Sequence, residues 1–343
     1  MELLLLVSTL RRSHVDRIVV VIPYFGYKRD TGMPFSSSVS THAASFLAQG
    51  DDIPLSAAAV ARMIEAVGAD HVLTLDLSPP GFSQPEGFFT ISCDDVRSTG
   101  MAVRYLARTN LQRPVVMASN ESCIPLAQDV ADGLRSATKG SEVDVAAIFE
   151  SRPLKPQPQA PAPVPAQAAH EEDEEEESED PNDTPEPPSP PVTYKGSTAG
   201  TRLEVLGDVT GRDVVLVDDI IDTARSIEAR IDAVLKAGAS RVLVFAAHGL
   251  FSRGALKRIE RSGAEQVIVT NSLPPVPYES EKCSKIVRLS VAPVLAEAMV
   301  RVHNNESLHP LKVFSAHNIR PRYRGQDDDD DGKTQDGDTS TGR

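Results

Sequence analysis

The sequence predicts an α/β protein with parallel sheets in two similar halves. One observation is an unbroken apolar run at residues 214–217, which is typical of a strand buried on both faces of a parallel sheet. Another is the helical period that follows it, with four apolar residues on one face. These residues are Ile227, Ile231, Val234 and Leu235. The third is a repeat, because residues 67–75 and 237–245 both lead from a helix end through Gly-Ala into a strand, which indicates duplication.

The first half is predicted to span residues 1–112. Its periodic segments are a helix at 2–12, a strand at 17–23, a helix at 55–68, a strand at 72–77 and a helix at 101–109. Ser56 is the predicted N-cap of the second helix, and Gly68 is its predicted end. Residues 31–52 are polar, rich in Ser and without periodicity, so we expect a loop insertion there.

The second half is predicted to span residues 113–309, followed by a segment at 310–324 that returns to the first half and a disordered acidic tail at 325–343. Its strands are predicted at 115–118, 143–149, 214–217, 241–245, 267–270 and 286–289, and its helices at 126–134, after 226 and at 291–303. An insertion at about 153–202 is rich in Pro and acidic residues and has almost no bulky apolar residue. It cannot bury enough apolar surface to offset its ordering entropy, so we expect disorder.

Composition argues against several classes of protein. The chain of 343 residues has a formal net charge of -14, which does not suit a nucleic-acid surface because phosphate backbones demand clustered Lys and Arg. Cys93, Cys123 and Cys283 have no paired or metal-binding spacing and fit a reduced intracellular protein. No apolar run is long enough to span a membrane. We therefore expect a cytoplasmic protein with no nucleic-acid or membrane partner.

Carboxylates and a helix start meet directly after the central strand. Asp218 and Asp219 stand at its predicted carboxyl end, where open α/β sheets place their ligand crevice. Thr223 to Ser226 form the predicted turn into the helix, whose N–H groups and positive dipole end suit a phosphate. A ligand with hydroxyls or a metal at one end and a phosphate at the other, such as ribose 5-phosphate, has this shape. Spacing alone leaves open the alternative that the carboxylates only end a strand and that Asp222 or Thr223 is a helix N-cap.

The same stretch resembles the phosphoribosyl-pyrophosphate loop of type I phosphoribosyltransferases, and most closely that of ribose-phosphate pyrophosphokinases. There the loop runs as two Asp, two variable residues, then Asp-Thr-small-Gly-Thr. The sequence departs from this pattern at Arg225, where the family has Gly, and at Ser226, where Thr is usual. The resemblance implies two type I phosphoribosyltransferase-like domains that bind ribose 5-phosphate or phosphoribosyl pyrophosphate. The residues implied to bind the ribose phosphate are Asp218, Asp219, Asp222, Thr223, Ala224 and Ser226.

Further matches to this family concern ATP and Mg2+, and they are incomplete. Residues 24–30 resemble the family's ATP loop, in which Arg29 matches the Arg that contacts ATP. Ser78 stands where the family has a His that helps to hold Mg-ATP, and a hydroxyl is a poor substitute for an imidazole ligand. Asn120 replaces an Asp that lies at the metal and the ribose. The resemblance therefore implies Mg2+ as a cofactor and ATP as a ligand, both bound weakly, and it identifies no metal ligand outright.

The catalytic loop of the family begins where the Pro-rich insertion begins here. In the family a Lys and, two residues on, an Arg clasp the transferring pyrophosphoryl group, because cations neutralise charge in the transition state. Arg152 matches that Arg, but Glu150 stands at the position of the Lys. A carboxylate there is expected to repel the phosphates, and it is the departure that argues most strongly against an enzyme.

The resemblance covers almost all of residues 2–316 apart from the insertions. We expect the family's first strands to be missing, either because the sequence is truncated or because the first half is incomplete, and an incomplete half would leave a sheet edge exposed. We expect a regulatory or weakly active subunit that assembles with pyrophosphokinase subunits, similar to the family's associated proteins and insertion-bearing subunits. The alternative is an active ribose-phosphate diphosphokinase, which moves the β,γ-pyrophosphoryl group of Mg-ATP to ribose 5-phosphate. A phosphoribosyltransferase is the weaker alternative, because no base-recognition hood is evident. The first two functions would serve nucleotide synthesis within a homo- or hetero-oligomer.

Overall fold

The computed structural model describes residues 1–27, 56–77, 89–138, 142–151, 192–195 and 202–312. The strands are β1 Val19–Ile22, β2 His71–Leu75, β3 Ser92–Val96, β4 Val115–Ala118, β5 Asp144–Ser151, β6 Val192–Lys195, β7 Arg202–Leu206, β8 Asp213–Ile221, β9 Arg241–Gly249, β10 Gln266–Thr270 and β11 Ile286–Leu289. The helices are α1 Glu2–Arg12, α2 Ser56–Ala66, α3 Thr99–Leu106, α4 Ile124–Ala137, α5 Arg225–Lys236, α6 Ala255–Arg261, α7 Glu279–Lys282, α8 Ala292–His303 and α9 His309–Lys312. Within these ranges every helix is too short or too polar to cross a membrane.

Two sheets carry the described fold. The first is a parallel sheet with the strand order β1-β2-β3. The second has the order β11-β10-β9-β8-β4-β5-β7-β6. It is parallel from β11 to β5, whereas β7 pairs antiparallel with β5 and β6 pairs antiparallel with β7. The predicted α/β class with parallel sheets is confirmed.

Strand β8 lies in the middle of the second sheet, between β4 and β9. Its apolar run is completely buried, and alternate side chains serve different cores. Val214 and Leu216 pack on the face covered by α5, whereas Val215 and Val217 pack on the face covered by α3 and α4. Both faces of the strand are thus covered by helices, as the unbroken run predicts. The predicted apolar stripe of α5 lies in this core, where Ile227, Ile231 and Val234 are buried and Leu235 lies at the margin.

Most predicted elements are present, with ends that differ by a few residues. The central strand is longer than predicted, because β8 runs on to Ile221. Ser56 is the first residue of α2 rather than its cap. The periodicity of the sequence does not predict β3, β6 or β7. Because residues 192–195 form β6, the predicted disordered insertion at about 153–202 extends too far at its carboxyl-terminal end. Outside the described residues lie the rest of that insertion, the whole of the one at 31–52 and residues 313–343.

Two helices pack on the sheet of the other half. Helix α3 buries Val103 and Leu106 in the core of the second sheet, although it precedes residue 113. Helix α8 buries Val294 and Leu295 against Leu75 of the first sheet. The predicted boundary between residues 112 and 113 therefore divides the strands but not these helices, and the chain returns to the first sheet well before residue 310.

Candidate functional site

The acidic pair lies where β8 passes the end of its neighbour β4. Val217 pairs with Ala118, the last residue of β4, whereas Asp218 has its partner in the described sheet on the other side, at Ala246 of β9. The strand itself continues to Ile221. The prediction that the acidic pair stands at the end of this strand is therefore wrong, whereas the binding role of the two carboxylates stays a prediction. The side of β8 that β4 leaves open belongs to the crevice at the carboxyl ends of the parallel strands.

Asp218 is 5% exposed, and its carboxylate is surrounded by a backbone amide, a thiol and a guanidinium. Its Oδ1 accepts from the N–H of Asp219 at 2.9 Å and from the thiol of Cys123 at 3.8 Å, and its Oδ2 lies 3.9 Å from Nη1 of Arg230. Burial, reinforced by the negative charge of Asp219, raises the pKa of Asp218 to about 7, although Arg230 opposes the shift. Burial and the same two carboxylates hold the pKa of the Cys123 thiol far above its usual range.

The raised pKa of Asp218 predicts that stability falls as the pH rises toward neutrality. An unfolded chain releases this proton near pH ~4, whereas the folded chain keeps it up to about pH 7. The folded state therefore binds the extra proton between these values. The free energy of unfolding should decrease by up to about 1.4 kcal/mol per pH unit across that window.

Urea unfolding between about pH 4 and about pH 8 checks this linkage. The Asp218→Asn variant should lose this part of the slope, whereas Asp232→Asn, which removes an exposed carboxylate of α5, should keep it. Equal slopes in the wild type and Asp218→Asn would contradict the expectation.

The residues after the acidic pair form a turn that the loop after β9 holds in place. The Oγ of Ser252 donates to Oδ1 of Asp222, and the N–H of Ser252 donates to the carbonyl oxygen of Asp222 at 3.0 Å. Nη1 of Arg258 donates to the carbonyl oxygen of Thr223 at 2.9 Å. Helix α5 has Ala224 as its N-cap residue and has no side-chain cap hydrogen bond. The alternative in which Asp222 or Thr223 is the N-cap is therefore wrong.

The start of α5 offers its first N–H groups to an anion. Ala224 is buried in the left-handed conformation, with φ 58° and ψ 11°, which is uncommon for a residue with a Cβ. Arg225 and Ser226 are exposed in the first turn. The uncapped N–H groups and the positive end of this 12-residue helix suit a phosphate. Because Ala224 adopts the left-handed conformation and Arg225 is helical, the backbone does not require the family's Gly at position 225.

Glu150, the acid at the expected Lys position, lies near the end of β5 and is paired with a buried cation. Its Oε2 is 3.6 Å from Nη2 of Arg230, and the same guanidinium reaches toward Asp218. Arg230 is 7% exposed, whereas the side chain of Glu150 is 34% exposed. The guanidinium thus lies between the two carboxylates, and Glu150 is not an isolated negative charge.

Arg230 is not among the site residues that the sequence predicts. This residue lies three positions after Ile227 and four before Val234, within the apolar stripe of α5. A charged residue in the core-facing stripe of an amphipathic helix is unusual, because arginine is almost never fully buried without a partner. An arginine inside this apolar stripe was therefore the feature of the sequence that could have predicted a buried charge.

Asn120 is engaged within its own loop. Its Oδ1 accepts from the N–H of Cys123 at 3.2 Å and from the hydroxyl of Ser122, and its Nδ2 donates to Oγ of Ser119 at 3.1 Å. These bonds cap the short 3-10 turn Glu121–Cys123. The side chain that replaces the family's Asp therefore serves the loop rather than presenting an oxygen to a ligand.

The described residues do not fit the Mg2+ that the family resemblance implies. The possible ligand atoms that come together are those of Cys123, Asp218 and Asp219, which lie within 4.8 Å of one another. Mg2+ demands an octahedral set of oxygens, whereas this set contains a thiol whose raised pKa disfavours the thiolate. Both carboxylate oxygens of Asp218 already have donors beside them. Oδ2 faces the guanidinium of Arg230, and Oδ1 accepts from the N–H of Asp219. We therefore assign no step to a metal.

His248 is fully buried at the carboxyl end of β9, in keeping with the structural role that a lone His usually has. Its Nδ1 is 2.8 Å from Oγ of Ser272, and its ring packs edge-on against Tyr24 at 5.0 Å between centroids. Tyr24 follows β1, so this contact joins the loop after β1 of the first sheet to the carboxyl end of β9 in the second. Outside the described residues lie three predicted site residues, Arg29, Ser78 and Arg152.

Comparison with known proteins gives concordant matches. The family model for the N-terminal domain of ribose phosphate pyrophosphokinase matches residues 1–68, and the one described as a phosphoribosyl synthetase-associated domain matches residues 166–312. The ribose-phosphate pyrophosphokinase of Shewanella oneidensis is 32% identical over 311 residues, which are 91% of this chain and 78% of the relative. That of Vibrio cholerae is 29% identical with the same coverage. The crystal structure of phosphoribosylpyrophosphate synthetase from Mycobacterium smegmatis has a TM-score of 0.61 and 25% identity, over 88% of this chain and 76% of that one.

Proposed function

Because this chain belongs to the ribose-phosphate pyrophosphokinase family, we propose that it is a regulatory or weakly active subunit of that enzyme which binds ribose 5-phosphate. The observation that carries the proposal is the pairing of Glu150 with the buried Arg230. Pyrophosphoryl transfer needs cations that neutralise the transition state. A carboxylate at this position, paired with a buried guanidinium, supplies no such cation to the crevice.

The ribose phosphate is held between the acidic pair and the start of α5. Asp219 accepts hydrogen bonds from the ribose hydroxyls, and the 5-phosphate lies on the first N–H groups of the helix beside Thr223 and Ser226. Support comes from the turn geometry, since Ser252 and Arg258 hold the turn at Asp222 and Thr223 in place through hydrogen bonds. The same site accepts phosphoribosyl pyrophosphate, which shares the ribose and the 5-phosphate.

Binding of Mg-ATP is weak in this proposal. The oxygen of Asn120 is used by its own loop, and the cluster of Cys123, Asp218 and Asp219 is a poor Mg2+ site. Assembly with active pyrophosphokinase subunits is part of the proposal and rests on membership of the family.

The alternative function is that of an active ribose-phosphate diphosphokinase. It is favoured by the retained Asp218, Asp219, Asp222 and Thr223, and by Arg152 in the sequence. An active enzyme would have to tolerate both Glu150 and the altered metal positions.

A coupled assay for AMP release from Mg-ATP and ribose 5-phosphate separates the two functions. The purified chain is assayed alone and mixed with an active pyrophosphokinase subunit from the same source. We expect AMP release by the chain alone to be at least about 100-fold below that of the active subunit, since missing transition-state cations cost this much or more. We expect the mixture to differ in rate or in inhibition from the active subunit alone. Full activity of the isolated chain would contradict the regulatory role and establish the alternative.

A further inference from the structure

Arg230 occupies a position that helix patterning normally gives to an apolar side chain. It lies in the core-facing stripe of α5 with Ile227, Ile231 and Val234, and it is 7% exposed. An arginine side chain cannot lose its proton in a protein. The positive charge at this buried position is therefore permanent and has to be balanced by neighbouring negative charge.

Two carboxylates balance this positive charge from beyond hydrogen-bond distance. Nη2 is 3.6 Å from Oε2 of Glu150, and Nη1 is 3.9 Å from Oδ2 of Asp218. Both distances exceed those of N–H···O hydrogen bonds, about 2.7–3.2 Å. Nε of Arg230 is buried and has no hydrogen-bond partner within the described part of the chain. A buried cation with incomplete hydrogen bonding is a weak contributor to stability, and departures of this kind concentrate at functional sites.

The position of the guanidinium conflicts with that of a divalent cation. A metal bound to Asp218 would lie within a few ångströms of a fixed positive charge, in a buried environment where screening is weak. The other oxygen of Asp218 faces the thiol of Cys123, which is a poor neighbour for Mg2+. The guanidinium already supplies positive charge to the acidic pair.

We propose that the guanidinium of Arg230 replaces the divalent cation beside the acidic pair, so that this chain binds ribose 5-phosphate without Mg2+. The inference rests on the proposed binding of ribose 5-phosphate between Asp219 and the start of α5. Arg230 counters the charge of Asp218, and Asp219 accepts hydrogen bonds from the ribose hydroxyls.

Titration calorimetry of ribose 5-phosphate into the full chain tests this, in buffers that contain EDTA, Mg2+ or Zn2+. The dissociation constants of the wild type in EDTA and in Mg2+ should agree within about twofold. In Arg230→Met, which keeps the volume and removes the charge, affinity in EDTA should fall about tenfold or more and Mg2+ should restore it. Arg230→Lys, which keeps a cation, should bind in EDTA. Arg261→Met, which removes an exposed arginine paired with Glu228, is the matched control and should bind as the wild type does.

Each other outcome overturns the inference in a distinguishable way. A wild type that binds only with Mg2+ refutes metal-independent binding and leaves the proposed function intact. Binding only with Zn2+ would identify Cys123, Asp218 and Asp219 as a metal site instead. Absence of binding in all three buffers would refute the proposed function together with the inference. Circular dichroism identifies a variant that fails to fold. If Arg230→Met does not fold, the wild-type dissociation constants in EDTA and in Mg2+, together with binding by Arg230→Lys in EDTA, test the inference.

Discussion

Replacing Glu150 by Lys alone is expected to destabilise the chain and to give little AMP release, although it restores the residue type of the family. The new ammonium group would lie beside the guanidinium of Arg230, which would then be opposed by Asp218 alone. This charge reversal should lower the free energy of unfolding by about 1–3 kcal/mol. The loss is smaller than for a fully buried ion pair because Glu150 is partly exposed. The double variant E150K/R230M removes the repulsion and should regain most of that stability. It should also release AMP at least about tenfold faster than E150K, because its lysine can turn toward the crevice.

A double-mutant cycle measures this coupling. Urea unfolding and AMP release are compared for the wild type, E150K, R230M and the double variant. Asp144→Lys is the matched control, because it reverses an exposed carboxylate at the other end of β5 that pairs with Arg212. R230M should not rescue D144K. Equal stability and activity of E150K with and without R230M would show that Glu150 and Arg230 act independently.

The elements that position the site follow from periodicity, but its charge network does not. An unbroken apolar run predicts that β8 is buried on both faces at the centre of the sheet. An apolar stripe at helical period predicts that α5 is a helix with one buried face. Glu150 and Arg230 are far apart in sequence, and nothing in either local pattern indicates that they meet. Helix α8 shows the same limit, since its apolar stripe requires a sheet to cover but does not say which one. Strand β3 escaped notice because Asp94 and Asp95 interrupt its apolar pattern.

The two members of the acidic pair are expected to contribute unequally to ribose 5-phosphate binding. Asp218 is buried among the Asp219 amide, the Cys123 thiol and Arg230, so its charge acts mainly within the protein. Asp219 is only half-buried and lies beyond the end of β4, so it is more accessible to a ligand than Asp218 is. Asp219→Asn should therefore weaken binding by about 10- to 100-fold, since a charge-assisted hydrogen bond contributes about 1.5–3 kcal/mol.

Calorimetry in EDTA distinguishes the two carboxylates, because no metal then contributes to binding. Asp218→Asn should change the dissociation constant less than Asp219→Asn does, since an asparagine can still accept the Asp219 N–H. Asp232→Asn removes an equal charge from the exposed face of α5 and should leave binding unchanged, which excludes a general electrostatic effect. Equal losses for Asp218→Asn and Asp219→Asn would place both carboxylates on the ribose. In that case Arg230 would neutralise the acidic pair as a whole. Arg230→Met, which removes this positive charge, should then weaken the binding of ribose 5-phosphate.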